Sequence, residues 1–227
     1  LRQKLIHADP TGDVNYIDAN QQDRAAFTLK EAFTLIHPSN IDLYWQGCLT
    51  TYSMNVVAAV TGMRRGELLG LLNDAVYPDH IHVCRTWGAV SGLKDKPKGK
   101  KNRDVPITPD VHSLLTRIMQ GGPNGYVFSF DEGSQHYPEN QILPRFYYAL
   151  EKMGITEETR KKRPLKFHSW RHTFNTLLLA NEVNTIMVQS VIGHESDRMT
   201  KNYTHFQLEH YQDVVNVQTQ LFRGASA

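Results

Sequence analysis

The stretch His168-Ser169-Trp170-Arg171-His172-Thr173 is where the reading of this chain turns. His168 and Arg171 stand three apart, so a helix would set both on the same side of one turn. Taken alone, that describes a histidine at a helix start and a surface arginine. His172 follows His168 at four residues, a spacing that metal-ligating histidines use. The zinc-protease pattern also needs a glutamate inside the pair, and Ser169-Trp170-Arg171 supplies none, so the reading sets a metal aside. Working outward, Thr61-Gly62-Met63-Arg64-Arg65-Gly66-Glu67 lies upstream, and Gly193-His194 and Tyr203-Thr204-His205 lie downstream. Each has an ordinary reading as well. Arg64 would pair with Glu67 on a surface, His194 would be a favourable charge at a helix end, and Tyr203 would be a core aromatic. Together they hold two guanidiniums, which match phosphate oxygens with a planar fork of donors and keep their charge. They also hold histidines that carry protons near neutral pH, and a tyrosine that becomes a nucleophile once deprotonated.

In order, spacing and local context, these four boxes resemble the catalytic domain of the tyrosine recombinases, the phage integrase family, over roughly residues 27 to 215. The resemblance implies that Arg64 and Arg171 clamp a scissile phosphate and that Glu67 orients an arginine or a neighbouring helix. His168 would transfer a proton or hold one in a hydrogen bond, and His194 would donate a hydrogen bond to the phosphate. Tyr203 would be the nucleophile, since Tyr147, Tyr148 and Tyr211 lack its context. The family also keeps a general-acid lysine at a hairpin tip. Lys94, Lys96, Lys98, Lys100 and Lys101 all precede Val105-Pro106-Ile107; counting back from Pro106 favours Lys98, with Lys96 second.

The expected function is site-specific recombination through a 3′-phosphotyrosyl intermediate, which conserves the phosphodiester energy and calls for no cofactor and no metal. The expected partner is double-stranded DNA, with a homo-tetramer on paired sites. A nicking and resealing topoisomerase would use the same chemistry. A non-catalytic DNA-binding module, or a metal nuclease built on His168, His172 and His194, belongs to a different class. The family places a helical core-binding domain ahead of the catalytic one, and residues 1–26 are too short to form it; they read as a linker or arm before a catalytic domain at 27–227.

Composition sets the frame for these readings. The 227 residues, 40% of them hydrophobic, suffice for a sizeable core. A formal net charge of +2 does not announce a nucleic-acid binder, but the distribution of charge does more. Lys94, Lys96, Lys98, Lys100, Lys101 and Arg103 face one acid, Asp95, and a second cluster gathers Arg160, Lys161, Lys162, Arg163 and Lys166. Such runs are ordinarily solvated loops. Two of them, one leading into the His168 box, point to a surface for the phosphate backbone. Cys48 and Cys84 stand apart without a partner motif, which fits a reducing compartment. No apolar run suggests a membrane span. The expectation is a cytoplasmic protein, bacterial or phage-encoded and associated with the nucleoid.

The pattern predicts an α+β, mainly helical fold carrying a small three-stranded antiparallel sheet. Thr28 and Glu31 have capping-box spacing, so a helix should start there and end before His37-Pro38. Ser39 should begin a longer helix through Ala59, closed at Thr61-Gly62. Ile81-His82-Val83, Val105-Pro106-Ile107 and Tyr126-Val127-Phe128 read as strands. Thr108-Pro109 and Pro138 should open helices, Asn184 should cap one that Gly193 stops, and Leu208, Tyr211, Val214, Val215 and Leu221 mark a last amphipathic helix.

Overall fold

The computed structural model describes residues 25–95, 102–193 and 211–224. Helix α1 (Leu29–Ile36) starts on the expected capping box: Glu31 N–H donates to Thr28 Oγ1, and the Glu31 carboxylate accepts from Thr28 N–H. The long helix expected from Ser39 is divided. A short 3₁₀ turn (Pro38–Asn40) leads into α2 (Ile41–Trp45), and Gln46 and Gly47 then take left-handed backbone, with φ of 55° and 70°, before α3 (Leu49–Thr61). Helix α3 is buried along nearly all its length, so it serves as the axis of the core, and Gly62 ends it at φ 63°. The next helix, α4 (Arg65–Leu69), begins three residues later with Arg64 as its N-cap.

The fold is mainly helical with small antiparallel sheet elements, as expected. The strands are grouped differently. Among the described residues they form two two-stranded ladders: β1 (His80–Val83) pairs with β4 (Arg103–Pro106), and β2 (Thr86–Gly88) pairs with β3 (Gly92–Lys94). Cys84 and Arg85 interrupt the run, and β2 leaves the first ladder to lie across α4. Two glycines of α4 and its C-cap permit that approach. A Cβ on Gly66 would stand 2.7 Å from Trp87 O, and one on Gly70 would stand 2.8 Å from the Thr86 carbonyl carbon. The β2–β3 ladder is thereby seated on the helix that follows Arg64. Tyr126 and Ser129 make single bridges to Leu72 and His136 instead of a full strand.

Helix α5 (Pro109–Thr116) follows the Thr108 cap and carries its proline in the first turn, where a missing N–H costs no hydrogen bond. Then come α6 (Glu139–Lys152), α7 (Glu157–Lys162) and α8 (Ser169–Ala180). Helix α9 (Thr185–Ile192) is capped by Asn184 and stopped by Gly193 at φ 71°, as the sequence predicts. The last helix, α10 (Gln212–Gly224), packs on α1, α3 and α8 of its own chain. Gln218 anchors it from a fully buried position, donating to Val60 O at 2.9 Å and Pro106 O at 2.7 Å. No helix among the described residues is long and apolar enough to cross a membrane.

Candidate active site

The site is built where α3 ends, α4 begins, α8 passes and α9 stops. Gly62 turns the chain sharply enough for Arg64 to start α4 facing the end of α9. Arg64 Nη1 donates to Glu67 Oε1 at 3.0 Å, and its Nη2 donates to Gly193 O at 3.2 Å. Its backbone N–H also donates to Glu67 Oε2. Its side chain keeps 27% exposure, so the guanidinium is held without being sealed away. The neighbouring Arg65 turns elsewhere and pairs with Glu139 on α6.

Arg171 enters the same place from α8 and is only 3% exposed. Its Nη1 donates to Gly62 O at 2.9 Å, while Nη2 is buried with no hydrogen-bond partner among the described residues. Burial first, and then the nearby positive charge of Arg64, push its pKa down to about 9. It therefore stays charged at neutral pH, but that charge is held at a cost an anion would relieve. The helix around it is fixed by packing: Trp170 Nε1 donates to Asn55 Oδ1 on α3, and Thr173 Oγ1 accepts from Phe27 N–H.

Glu67 is 1% exposed, and burial alone would raise its carboxyl. Arg103 above all, with Arg64, outweighs burial and holds it at about 2. Arg103 Nη1 and Nη2 reach Glu67 Oε1 and Oε2 at 3.0 and 2.7 Å, and its Nε reaches Val191 O on α9 at 2.8 Å. This corrects the assignment of Arg103 to the DNA backbone. Its side chain is 9% exposed and its donors point into the protein.

Two more members of the basic clusters are likewise turned inward. Arg163 forms a two-point ion pair with Glu31 and donates to Ala26 O. Arg160 lies over the Tyr147 ring, 4.1 Å from its centroid, with Glu151 at 3.8 Å. Lys94 and Lys166 are exposed, as are Lys161 and Lys162, which make weak exposed pairs with Glu157 and Glu158 one turn earlier. His168 is the exposed N-cap of α8, its ring edge-on to His172 at 4.8 Å between centroids. Lys96, Lys98, Lys100, Lys101, His194 and Tyr203 lie outside the described residues.

Sequence reasoning thus named the arginine pair and Glu67, and missed Arg103 as the second cation on that carboxylate. The available signal was Glu67 itself: an acid followed by Leu68-Leu69 on a helix entering the core asks for more compensation than one half-exposed arginine provides.

The geometry defines a class first: a mainly helical domain that gathers two arginines from distant parts of the chain around one polar centre. The comparisons sharpen this. The model of the phage integrase family matches residues 28–210, and the chain belongs to that family, the tyrosine recombinases. The chain is 30% identical over 224 residues to the tyrosine recombinase XerD of Halalkalibacterium halodurans, covering 94% of this chain and 68% of the relative. It is 32% identical over 169 residues to the integrase of Escherichia phage 186, covering 66% of this chain and 45% of that protein. Among solved structures, the Tn1549 transposon integrase in complex with transposon right end DNA superposes with a TM-score of 0.62 at 21% identity, over 86% of this chain and 66% of the other. The XerA recombinase gives 0.56 at 23% identity, over 83% of this chain and 63% of the other. These last two are likenesses of fold. The chain spans under half the length of the phage 186 integrase it matches.

Proposed function

We propose that this domain cleaves and rejoins DNA strands in site-specific recombination, through a covalent 3′-phosphotyrosyl intermediate. The observation that carries this reading is the buried Arg171 beside the half-exposed Arg64, with one Arg171 nitrogen unpartnered among the described residues. Two guanidiniums so placed can neutralise the non-bridging oxygens of a phosphodiester, where negative charge builds as the transition state forms. Tyr203 supplies the phenolic oxygen that bonds to phosphorus as the bond to the 5′ oxygen breaks. Its proton leaves to His168, His194 donates a hydrogen bond to the phosphate, and Lys98 gives a proton to the departing 5′ oxygen. The 5′ hydroxyl of another strand then attacks the phosphotyrosine and restores Tyr203. The number of phosphodiester bonds is unchanged, so the sequence of steps calls for no nucleotide cofactor.

The names of relatives and the DNA complexes among the fold neighbours support DNA as the substrate, in a bacterial or phage setting; the reading extends to duplex DNA and a homo-tetramer on paired sites as the working assembly. Lys94, Lys96, Lys100, Lys101, Lys161, Lys162 and Lys166 would meet the backbone; Arg103, Arg160 and Arg163 are withdrawn from that set. The test is a nicked suicide substrate, whose cleaved end diffuses away, incubated with the protein in chelator and resolved on a denaturing gel. The protein should migrate attached to DNA, and Tyr203→Phe should bind DNA with unchanged affinity yet give no adduct. A wild-type protein that binds without an adduct would mark a non-catalytic binding module. An adduct from the Phe variant would remove Tyr203 from the mechanism.

A further inference from the structure

We infer that Arg103 is a positioning residue of the phosphate site, an inference that rests on the recombinase reading above and names a residue outside its proposed reacting groups. Four links form a closed ring. Arg64 Nη1 meets Glu67 at 3.0 Å, and Glu67 meets Arg103 through both carboxylate oxygens at 3.0 and 2.7 Å. Arg103 Nε meets Val191 O at 2.8 Å, and Arg64 Nη2 meets Gly193 O, two residues along the same backbone, at 3.2 Å. The ring joins the start of α4, the first residue of β4 and the end of α9, three segments with no covalent reason to stay in register. Arg103 is the only member that reaches from β4, and it spends donors on two different partners. Gly193 closes against it: a Cβ there would stand 3.1 Å from both Cζ and Nη1 of Arg103.

The chemistry of the side chain fits this task. A guanidinium offers Nε and two Nη groups in a rigid plane, so one residue can grip a carboxylate in two-point contact and still donate sideways to a carbonyl. A lysine carries equal charge on a single nitrogen and cannot span both partners in that geometry. Among the described residues, Arg103 meets Glu67 and Val191 O and no proposed reacting group. It acts through Glu67, which sets the direction of Arg64, and through the α9 terminus, which offers Arg64 its second acceptor. Without that bracket Arg64 would keep a carboxylate partner, but one free to swing.

The test uses Arg103→Lys and Arg103→Ala in the full chain, with two readouts. On the suicide substrate, Arg103→Lys should keep a near-wild-type melting temperature and DNA affinity while forming adduct about a hundredfold more slowly, the scale on which a misplacement of about 1 Å lowers a rate. Inorganic sulfate, titrated calorimetrically as a phosphate probe without DNA, should bind Arg103→Lys about tenfold more weakly, as for loss of one hydrogen bond to a charged group. Adding guanidinium ion below denaturing concentrations should restore adduct formation to Arg103→Ala by filling the emptied site. A variant that is merely unstable would be harmed by guanidinium, as it would be by urea, so rescue separates the two cases. Wild-type rates and sulfate affinity in Arg103→Lys would overturn the inference, as would a folded Arg103→Ala that guanidinium fails to rescue. If Arg103→Ala does not fold, Arg103→Lys decides alone. If the wild-type protein forms no adduct, the recombinase reading falls, and the sulfate titration still decides whether Arg103 positions the anion site.

Discussion

Replacing Glu67 by glutamine should destabilise the domain by about 3 kcal/mol at neutral pH. Glu67 is 1% exposed and its carboxyl, ordinarily near 4.5, is held at about 2. Each unit of that difference is worth about 1.4 kcal/mol, and the depression of roughly two and a half units gives the figure. It falls at the lower edge of the roughly 3–5 kcal/mol lost when one partner of a buried ion pair is removed. Glutamine keeps the volume and one acceptor oxygen but leaves Arg103, 9% exposed, without its counter-charge. The sign follows from the direction of the shift. A depressed carboxyl stabilises the fold fully above its unfolded value of about 4.5, and that stabilisation drains away as pH falls toward 2. Urea unfolding followed by the fluorescence of the buried Trp45 and Trp170 would measure it. At pH 7 the variant should also melt roughly 6–12 °C lower, at about 2–4 °C per kcal/mol for a domain of this size. The gap between wild type and variant should narrow steadily below about pH 4.5, because the unfolded wild type takes up a proton at Glu67 there while the folded protein stays ionised until about pH 2. A loss under about 1 kcal/mol at neutral pH, or a gap that does not change with acid, would refute the account of Glu67 as a carboxylate held by two guanidiniums.

The remaining expectations concern the reaction and the DNA surface. Arg64→Ala and Arg171→Ala should each slow adduct formation by at least the roughly hundredfold that loss of one oxyanion donor costs; a milder effect from Arg64 than from Arg65 would mean the wrong arginine of that pair has been chosen. Lys98→Ala should be slow on ordinary DNA and near wild type on a substrate whose leaving 5′ oxygen is replaced by sulfur, since a thiolate departs without an acid; if Lys96→Ala shows that rescue instead, the acid stands two residues earlier. In salt titrations of DNA binding, Lys166→Ala should reduce the logarithmic slope by roughly 0.9. Arg160→Ala should leave the slope unchanged, because its guanidinium already lies on Tyr147; an equal change in both would return Arg160 to the DNA surface.

What was legible in the sequence was local. Thr28 with Glu31, Thr61-Gly62, Thr108-Pro109 and the span from Asn184 to Gly193 are each decided within a few residues by which backbone groups lack partners, and all four stand where expected. What was illegible depended on contacts far along the chain. Nothing near Gln46 demands left-handed backbone at a non-glycine position; the break there lets α2 pack on α6 while α3 turns into the core. The strands share the difficulty, since β2 leaves the first ladder for the glycine face of α4, a preference made by Gly66 and Gly70 and invisible in the strand pattern. The basic runs misled for a related reason. A count of charges does not see that Arg163 answers Glu31 across the domain, or that Arg103 answers Glu67.

The two arginines of the centre are held by opposite means, and the contrast bears on how such a site works. Arg64 is satisfied, with Glu67 and Gly193 O fixing its plane, so its exposed edge is aimed before any ligand arrives. Arg171 keeps one nitrogen without a partner among the described residues, and burial and the charge of Arg64 lower its pKa to about 9. Folding pays to keep that charge, which the guanidinium retains throughout the working pH range. At neutral pH that cost persists, and on the proposed reading a phosphate lying across both guanidiniums would relieve it. Glu67 relieves it only in part: its charge favours the charged Arg171, but its two oxygens are hydrogen-bonded to Arg64 and Arg103. Arg103 fixes the acid that aims Arg64, and its own positive charge adds to the pressure on Arg171.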